Sequence, residues 1–314
     1  MKRSILLVFF VILAFFAGCG TQKVQESPGI PYVDTGVDPE AWVLVPEGVF
    51  LKGQHEHETM INYDYEIMVT DVTNAQYARF LNEAKAKGIL KIEQDSVKAY
   101  YPGDPFDAHK HEKKITAGDK ILIPLNEAGQ RILYDGNMFT VESGYENHPM
   151  VMVSWFGARA YAKFYGWRLP TENEWEKAAR GEDNRVYPWG DEIRHNQANF
   201  YSSRNLIQKL FGKRVITTPV GYYNGKSYNG YETMDACSPY GLYDMAGNVW
   251  QWCGDDYPYT HLRYMRGGSE ANYEYNLRVW ARNSAGPDFY SINIGFRCAR
   301  DVEHVNDEQH EEGE

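Results

Sequence analysis

Apolar residues in this chain fall into short alternating runs and three helical stripes, separated by polar stretches rich in turn residues. Trp42-Val43-Leu44-Val45 and Val49-Phe50-Leu51 read as two strands on either side of a Pro46-Glu47-Gly48 turn, and Tyr65-Glu66-Ile67-Met68-Val69 as a further strand. Thr73 stands where a cap would start a helix running to about Lys87. Ala75, Tyr77, Ala78, Phe80, Leu81 and Ala84 supply its buried stripe, and Gly88 ends it. Residues 93–147 are polar with little helical period, and within them Ile132 to Val141 reads as a hairpin around Asp135-Gly136-Asn137. Ser154 caps a second helix, with Ala158, Tyr161, Ala162 and Tyr165 along one side and Gly166 at its end. Arg168-Leu169-Pro170 leads into a third, where Thr171 and Glu174 form a capping box, Trp175, Ala178 and Ala179 face inward, and Gly181 terminates. Beyond Gly181 the pattern is turns and short strands, ending at Ile294-Gly295-Phe296-Arg297-Cys298.

The longest apolar run is at the start: Met1-Lys2-Arg3-Ser4, then Ile5 to Phe16, then Ala17-Gly18-Cys19-Gly20. A basic start, a short apolar stretch and small residues describe a secretory signal. The run falls short of the roughly 20 apolar residues that a permanent membrane span needs. Phe16-Ala17-Gly18-Cys19 resembles a bacterial lipobox, with Phe16 where a smaller aliphatic residue is usual. That resemblance implies cleavage before Cys19, acyl chains on its thiol and new amino terminus, and anchoring at the bacterial cell envelope, with the outer membrane as the expected site. The plainer alternative is an ordinary signal peptide with an incidental cysteine. The expected organisation is a signal over 1–18, a tether over 19–40, one domain over 41–301 and an acidic tail over 302–314.

Charge narrows the partners. The chain carries 32 Lys and Arg against 43 Asp and Glu, a formal −11, which argues against nucleic acid, whose phosphates require clustered cations. Asp301, Glu303, Asp307, Glu308, Glu311, Glu312 and Glu314 crowd the C-terminus without apolar periodicity, the composition of a solvated segment. Aromatic residues make up 15% of the chain, a composition suited to rings packed between irregular segments. After Cys19 only Cys237, Cys253 and Cys298 remain. An odd number leaves room for at most one internal disulfide, with the pairing open. His109 and His111 lie among lysines and read as loop residues; His55 and His57 alternate without a third ligand nearby and read as exposed. Asp255-Asp256 is no acid pair for glycoside chemistry, because neighbours on a strand point to opposite faces.

Seven stretches in one order, Val72–Tyr77, His148–Trp155, Arg168–Glu176, Tyr187–Gly190, Tyr240–Trp252, Arg266–Ser269 and Gly295–Cys298, together resemble the formylglycine-generating-enzyme-like (sulfatase-modifying-factor) domain across nearly the whole expected domain. The resemblance implies an α+β fold related to C-type lectins, loop-rich, with short antiparallel strands and a few helices. Family enzymes oxidise a cysteine of a sulfatase with copper held by two thiolates, soft ligands that select Cu(I). Those cysteines lie three and eight residues after the serine of Arg-Gly-Gly-Ser, positions held here by Asn272 and Leu277. No copper is therefore expected. Cys298 matches a family cysteine whose usual partner falls near Ala162, so a lone buried thiol or a changed disulfide is implied. Related sulfoxide synthases take their iron histidines largely from an additional domain that this chain lacks.

The resemblance also implies a candidate calcium site at Asp244, Gly247, Val249 and Gln251, where the family carries Asn first and Glu last. Oxygen donors of that kind suit Ca²⁺, with water completing its shell. A second family site would begin at Asn199 and Phe200, but Gly212-Lys213-Arg214 stands where its carboxylate belongs. Arg266, Gly267, Gly268, Arg282 and Arg297 are candidates to shape a groove, against the alternative that such arginines serve packing and carbonyl hydrogen bonds. The reading reached is an envelope lipoprotein, non-catalytic, binding an envelope protein or extended peptide as a scaffold. Similar lipoproteins occur in secretion and gliding machinery. The alternatives are an enzyme of the same fold with other oxidative chemistry, and a lectin-like recognition domain.

Overall fold

The computed structural model describes residues 31–104, 114–203, 216–256 and 260–302. The signal, Cys19, His109, His111, Gly212-Lys213-Arg214 and the acidic residues beyond Val302 lie outside the described residues. Among the described residues, no helix is long and apolar enough to cross a membrane.

Strands β1 (Trp42–Val45) and β4 (Tyr65–Met68) pair antiparallel, and the last strand, β16 (Ala299–Asp301), pairs with the other edge of β4. The first and last strands of the domain therefore share one three-stranded sheet. Strand β2 (Gly48–Lys52) turns away from β1 to pair with β3 (His57–Ile61), so the Pro46-Glu47-Gly48 turn joins two sheets and is not a hairpin. Strands β5 (Leu90–Ile92), β6 (Ser96–Tyr101) and β7 (Gly118–Pro124) form an antiparallel sheet within the stretch that showed little period in sequence. Strands β8 (Ile132–Tyr134) and β9 (Phe139–Val141) make the expected hairpin, and β10 (Ser227–Tyr228) pairs with β11 (Tyr231–Glu232). Strands β12 (Trp250–Asp256), β13 (Arg263–Arg266), β14 (Arg282–Ala285) and β15 (Ile294–Gly295) form a sheet of order β14-β13-β12-β15. In it β15 runs parallel to β12, the exception to the antiparallel expectation.

Among the described residues three α-helices complete the α+β fold, each set by its cap. Helix α1 (Asn74–Ala86) starts at Thr73, whose hydroxyl accepts from the Gln76 N–H while Gln76 reaches back to the Thr73 N–H. Helix α2 (Trp155–Phe164) starts at Ser154, and α3 (Glu172–Arg180) at the Thr171/Glu174 capping box. Each cap satisfies end amides at about 1 kcal/mol. The stripe of α1 buries Tyr77, Ala78, Phe80, Leu81 and Ala84, but Ala75 is exposed. Asn74 is buried instead, its Nδ2 donating to the Tyr145 and His148 carbonyls. Helices α1 and α2 share the main core: Tyr77 stacks on Tyr161 with ring centroids 5.8 Å apart, and Phe296 packs edge-on against both. A second core gathers around Trp175 with Tyr65, Ile67, Leu242, Met245 and Cys253.

The expected tether ends earlier than residue 40. Val33 is buried among Tyr145, Tyr222 and Tyr223, and Thr35 donates its hydroxyl to the Val220 carbonyl. Residues 33–40 are therefore part of the folded domain: one apolar side chain and one hydroxyl find partners there despite the linker-like composition.

Candidate functional site

The sheet β14-β13-β12-β15 carries the motifs singled out in sequence, and Gln251 on β12 is their junction. Its Oε1 accepts from Trp175 Nε1 and from Arg297 Nε, both at 2.7 Å, and its Nε2 donates to the Asp244 carbonyl at 2.7 Å. Arg297 spends its remaining donors on the carbonyls of Met68, Val69 and Tyr243. Asp71, fully buried, lies 3.6 Å from it, and neither Asp71 oxygen has a hydrogen-bond partner among the described residues. Burial pushes the Asp71 carboxyl well above its ordinary range, with Arg297 opposing and Asp244 reinforcing the rise.

Arg266 on β13 is equally enclosed. It meets Glu176 in a short ion pair, lies 3.5 Å from Glu172, donates to the Ala281 carbonyl and sits 5.4 Å from the Trp175 ring centroid. Gly267 and Gly268 follow with φ of 93° and 72°. A β-carbon on Gly268 would stand 2.8 Å from the Asn276 carbonyl oxygen and 2.9 Å from Leu277 Cδ1, so this backbone needs glycine. The groove expected from Arg266, Gly267, Gly268, Arg282 and Arg297 is corrected accordingly. Arg266 and Arg297 are fully buried clamps, and only Arg282, paired with Glu172 at 3.3 Å, reaches solvent.

Asn272 and Leu277, at the implied copper positions, hold structural posts. Asn272 Oδ1 accepts from the Ser269 N–H at 3.0 Å and from the Ser269 hydroxyl at 2.8 Å, closing the turn after Arg-Gly-Gly-Ser. Leu277 ends a 3₁₀ turn (Glu274–Leu277) and is fully buried with Tyr187, Ala198, Phe200 and Ala246. The three described cysteines are free thiols in separate surroundings. Cys298 sits in the main core, where Ala162 also packs; Cys253 sits in the Trp175 core; Cys237 is half-buried. Burial raises the Cys253 and Cys298 thiols well above their ordinary range, which disfavours the thiolate that a soft metal requires. The residues present do not fit a two-thiolate copper site. Among the described residues no three His, Cys, Asp or Glu side chains are grouped to hold a metal.

The candidate calcium set is also altered. Gln251 Oε1 faces a guanidinium nitrogen at 2.7 Å, so a divalent cation at that oxygen would meet the Arg297 charge at short range. Gln251 is thus withdrawn as a ligand. Asp244 has φ of 58° and one oxygen accepting from the Gly221 N–H at 2.7 Å. Its carboxyl is pushed up to about 6 by burial, against the pull of that N–H and of Arg297. Gly247 and Val249 flank Asn248, whose side chain ties the turn to Thr218 and Asn199; a β-carbon at Gly247 would lie 2.5 Å from the Asn199 carbonyl oxygen.

Open space lies elsewhere. A cleft of about 670 Å³ runs between α2 and the start of α3, lined by Trp155, Arg159, Lys163, Trp167, Arg168 and Asp255 among others. A neighbour of about 460 Å³ shares Arg159 and Lys163 and has an apolar floor of Phe80, Leu90, Leu122 and Phe164. Sequence reasoning did not find these clefts, although Arg159 and Lys163, four apart and each one residue beyond the Ala158/Ala162 stripe, already place two cations on one face of α2. Asp255 on β12 accepts from the Glu172 N–H at 2.6 Å as an additional cap for α3, while Asp256 pairs with Arg263, confirming that the two point apart. His55 and His57 are exposed, as expected.

A family model for the sulfatase-modifying factor enzyme 1-like domain matches residues 32–302. The chain belongs to that family. The formylglycine-generating enzyme of Thermomonospora curvata is 33% identical over 310 residues, covering 87% of this chain and 92% of that protein. The serine/threonine-protein kinase pkn1 of Chlamydia caviae is 33% identical over 287 residues, 83% of this chain and 38% of the kinase. The chain therefore spans under two fifths of the length of that relative. Among solved structures, PvdO from Pseudomonas aeruginosa shares the fold, with a TM-score of 0.53 and 21% identity over 83% of this chain and 94% of PvdO. The sulfatase-modifying-factor fold accounts for the loop-rich α+β architecture, and its first residues agree with a domain that begins before residue 40.

Proposed function

We propose that this sulfatase-modifying-factor domain is a non-catalytic member of its family, held at the bacterial envelope by lipid on Cys19 and acting there as a binding or scaffold module in a secretion or gliding apparatus. The observation that carries the loss of catalysis is the pair Asn272 and Leu277. One closes a turn through two hydrogen bonds and the other fills an apolar cluster, so both positions serve the fold. A carboxamide and a hydrocarbon supply no soft donor for Cu(I), and function follows from the site, not from the fold. The partner class is an envelope protein or an extended peptide; the net charge of −11 sets nucleic acid aside.

Incubation with a sulfatase-derived cysteine peptide, copper and oxygen is the direct test. No aldehyde is expected by mass spectrometry, and formylglycine in the peptide would overturn the reading. Lipid attachment is tested separately: C19A should move the protein from the membrane fraction to the soluble fraction. Crosslinking in intact envelopes should capture one recurring high-mass assembly.

A further inference from the structure

The two clefts beside α2 differ in charge. Asp64, Asp255 and Asp301 line the larger one, whereas no Asp or Glu lines the smaller. The charged groups of the smaller cleft are Lys87, Arg159 and Lys163, and among the described residues none of them is in an ion pair. Lys87 Nζ stands 4.3 Å from the Phe164 ring centroid and the Arg159 guanidinium 5.0 Å from that of Tyr101, so these cations lie against the aromatic walls. Lys87 and Lys163 also suit the C-terminal ends of their helices, where positive charge is favoured. Arg159, in the middle of α2, has no such post.

The rest of the lining is largely hydrocarbon. Phe156, Ala160 and Phe164 repeat at four-residue spacing along α2 and so form one row, flanked by Arg159 and Lys163. Phe80 of α1 and Leu122 of β7, both buried, close the floor. Strand β6, which supplies Ala99 and Tyr101, is central in its sheet, with its backbone pairing taken by β5 and β7. The only lining side chains that can accept a hydrogen bond are Tyr100 and Tyr101, and the Tyr101 hydroxyl donates its proton to Asp104 at 2.6 Å. A peptide entering here would bury N–H groups with almost no side-chain acceptors to meet them, which is costly. A hydrocarbon chain with one anionic end matches both parts of the lining. We propose that this cleft binds a free straight-chain fatty carboxylate, its chain along Phe156, Ala160 and Phe164 and its carboxylate on Arg159 and Lys163. The volume of about 460 Å³ lies within the roughly 300–1,000 Å³ of small-molecule sites. At about 30 Å³ per water-sized group it holds on the order of 15 groups, a head and about a dozen carbons. Neither Asn272 and Leu277 nor lipid on Cys19 enters into it.

Isothermal titration calorimetry tests it on the chain from Gly20 to Glu314, which keeps every described residue. Decanoate and dodecanoate, each below its micelle concentration, should fill one saturable site. Dodecanoate should bind about tenfold more tightly, because each methylene removed from water is worth up to about fourfold. Uncharged 1-decanol should bind about fivefold more weakly than decanoate, the order of one or two exposed ion pairs. R159Q/K163Q should lower decanoate affinity to that of decanol and leave decanol unchanged. A160W, which sets a large ring in the cleft, should abolish both; R159Q/K163Q keeps the test decisive if A160W does not fold. Equal affinity for decanol and decanoate, indifference of decanoate to R159Q/K163Q, or no saturable uptake would each overturn the proposal. So would association with phosphatidylglycerol vesicles alone, which would make this face a membrane contact.

Discussion

Replacing Asp244 by asparagine should reverse sign with pH. The carboxyl is buried in the left-handed region of the backbone, a conformation that asparagine also tolerates. Its pKa is pushed up from 3.8 to about 6 on folding because burial penalises the anion more than the Gly221 N–H and Arg297 stabilise it. A raised pKa means that the folded protein holds the proton more tightly than the unfolded chain does. Asp244 therefore adds nothing unfavourable below about pH 4, destabilises progressively as pH climbs to about 6, and costs a constant amount above that. A shift of about two units amounts to about 3 kcal/mol at 1.36 kcal/mol per unit. D244N keeps an oxygen for the Gly221 N–H and removes the charge, but its amide must find an acceptor, at about 1 kcal/mol if it fails. At pH 7.5 the variant should thus be more stable by about 2 kcal/mol, and at pH 4 equal or less stable. Urea midpoints at pH 4, 5, 6 and 7.5 provide the assay. Asp71 shifts in the same direction in both proteins, and the Asp244 charge adds to that rise, so the difference between the two curves reports Asp244 together with its coupling to Asp71. Parallel curves, or a variant weaker at pH 7.5 than at pH 4, would refute the reasoning.

Four other substitutions and additions check separate parts of the description. E176A leaves Arg266 and Arg180 facing no carboxylate at that point and frees the Gly53 N–H; a loss of about 3–5 kcal/mol in urea unfolding is expected. L277A should cost about 2–5 kcal/mol as a buried cavity, whereas a residue that merely lined an open site would lose little. Y161F should be neutral or stabilising by up to about 1 kcal/mol in thermal unfolding, because the Tyr161 hydroxyl is buried with no hydrogen-bond partner among the described residues. Millimolar calcium should leave Tm unchanged, since Arg297 occupies the oxygen of Gln251; a clear rise that D244A abolishes would show that Gln251 turns away to ligate.

Local chemistry was the legible part of this sequence. Thr73, Ser154 and Thr171 with Glu174 announce three helix starts because a cap is decided by residues three apart. Strand β6 was hidden because Tyr100 places an aromatic ring on the exposed face at 69% accessibility, so the alternation of Val97, Ala99 and Tyr101 loses its contrast. The site was less legible than the fold. Arg266 and Arg297 stand beside glycine motifs like groove residues, yet what decides their role is long-range: Glu176 and Gln251 from other elements meet them inside the core. Neither partner is close in sequence. Glu172, Glu174, Glu176, Lys177 and Arg180 likewise spell a solvent-facing helix by composition, and all five are buried.

That buried charge also fixes the path of the loop that carries Asn272 and Leu277. The loop from Arg266 to Leu277 has little regular structure, so its path depends on fixed points. Arg266 is pinned by Glu172 and Glu176 of α3, Gly267 lies against the Trp175 ring of the same helix, and Asn272 ties back to Ser269. Glu176 in turn holds Gly53 and Arg180, and Glu174 holds Arg168 and the hydroxyl of Tyr63. A buried ionic network of this kind is seldom more stabilising than apolar packing, but breaking one member leaves an uncompensated charge, so the arrangement tolerates few alternatives. Loop geometry is therefore set from beneath, by α3. Asn272 and Leu277 sit within a loop fixed in this way, and the surfaces outside the network, including the outer face of α2, are those free to diverge.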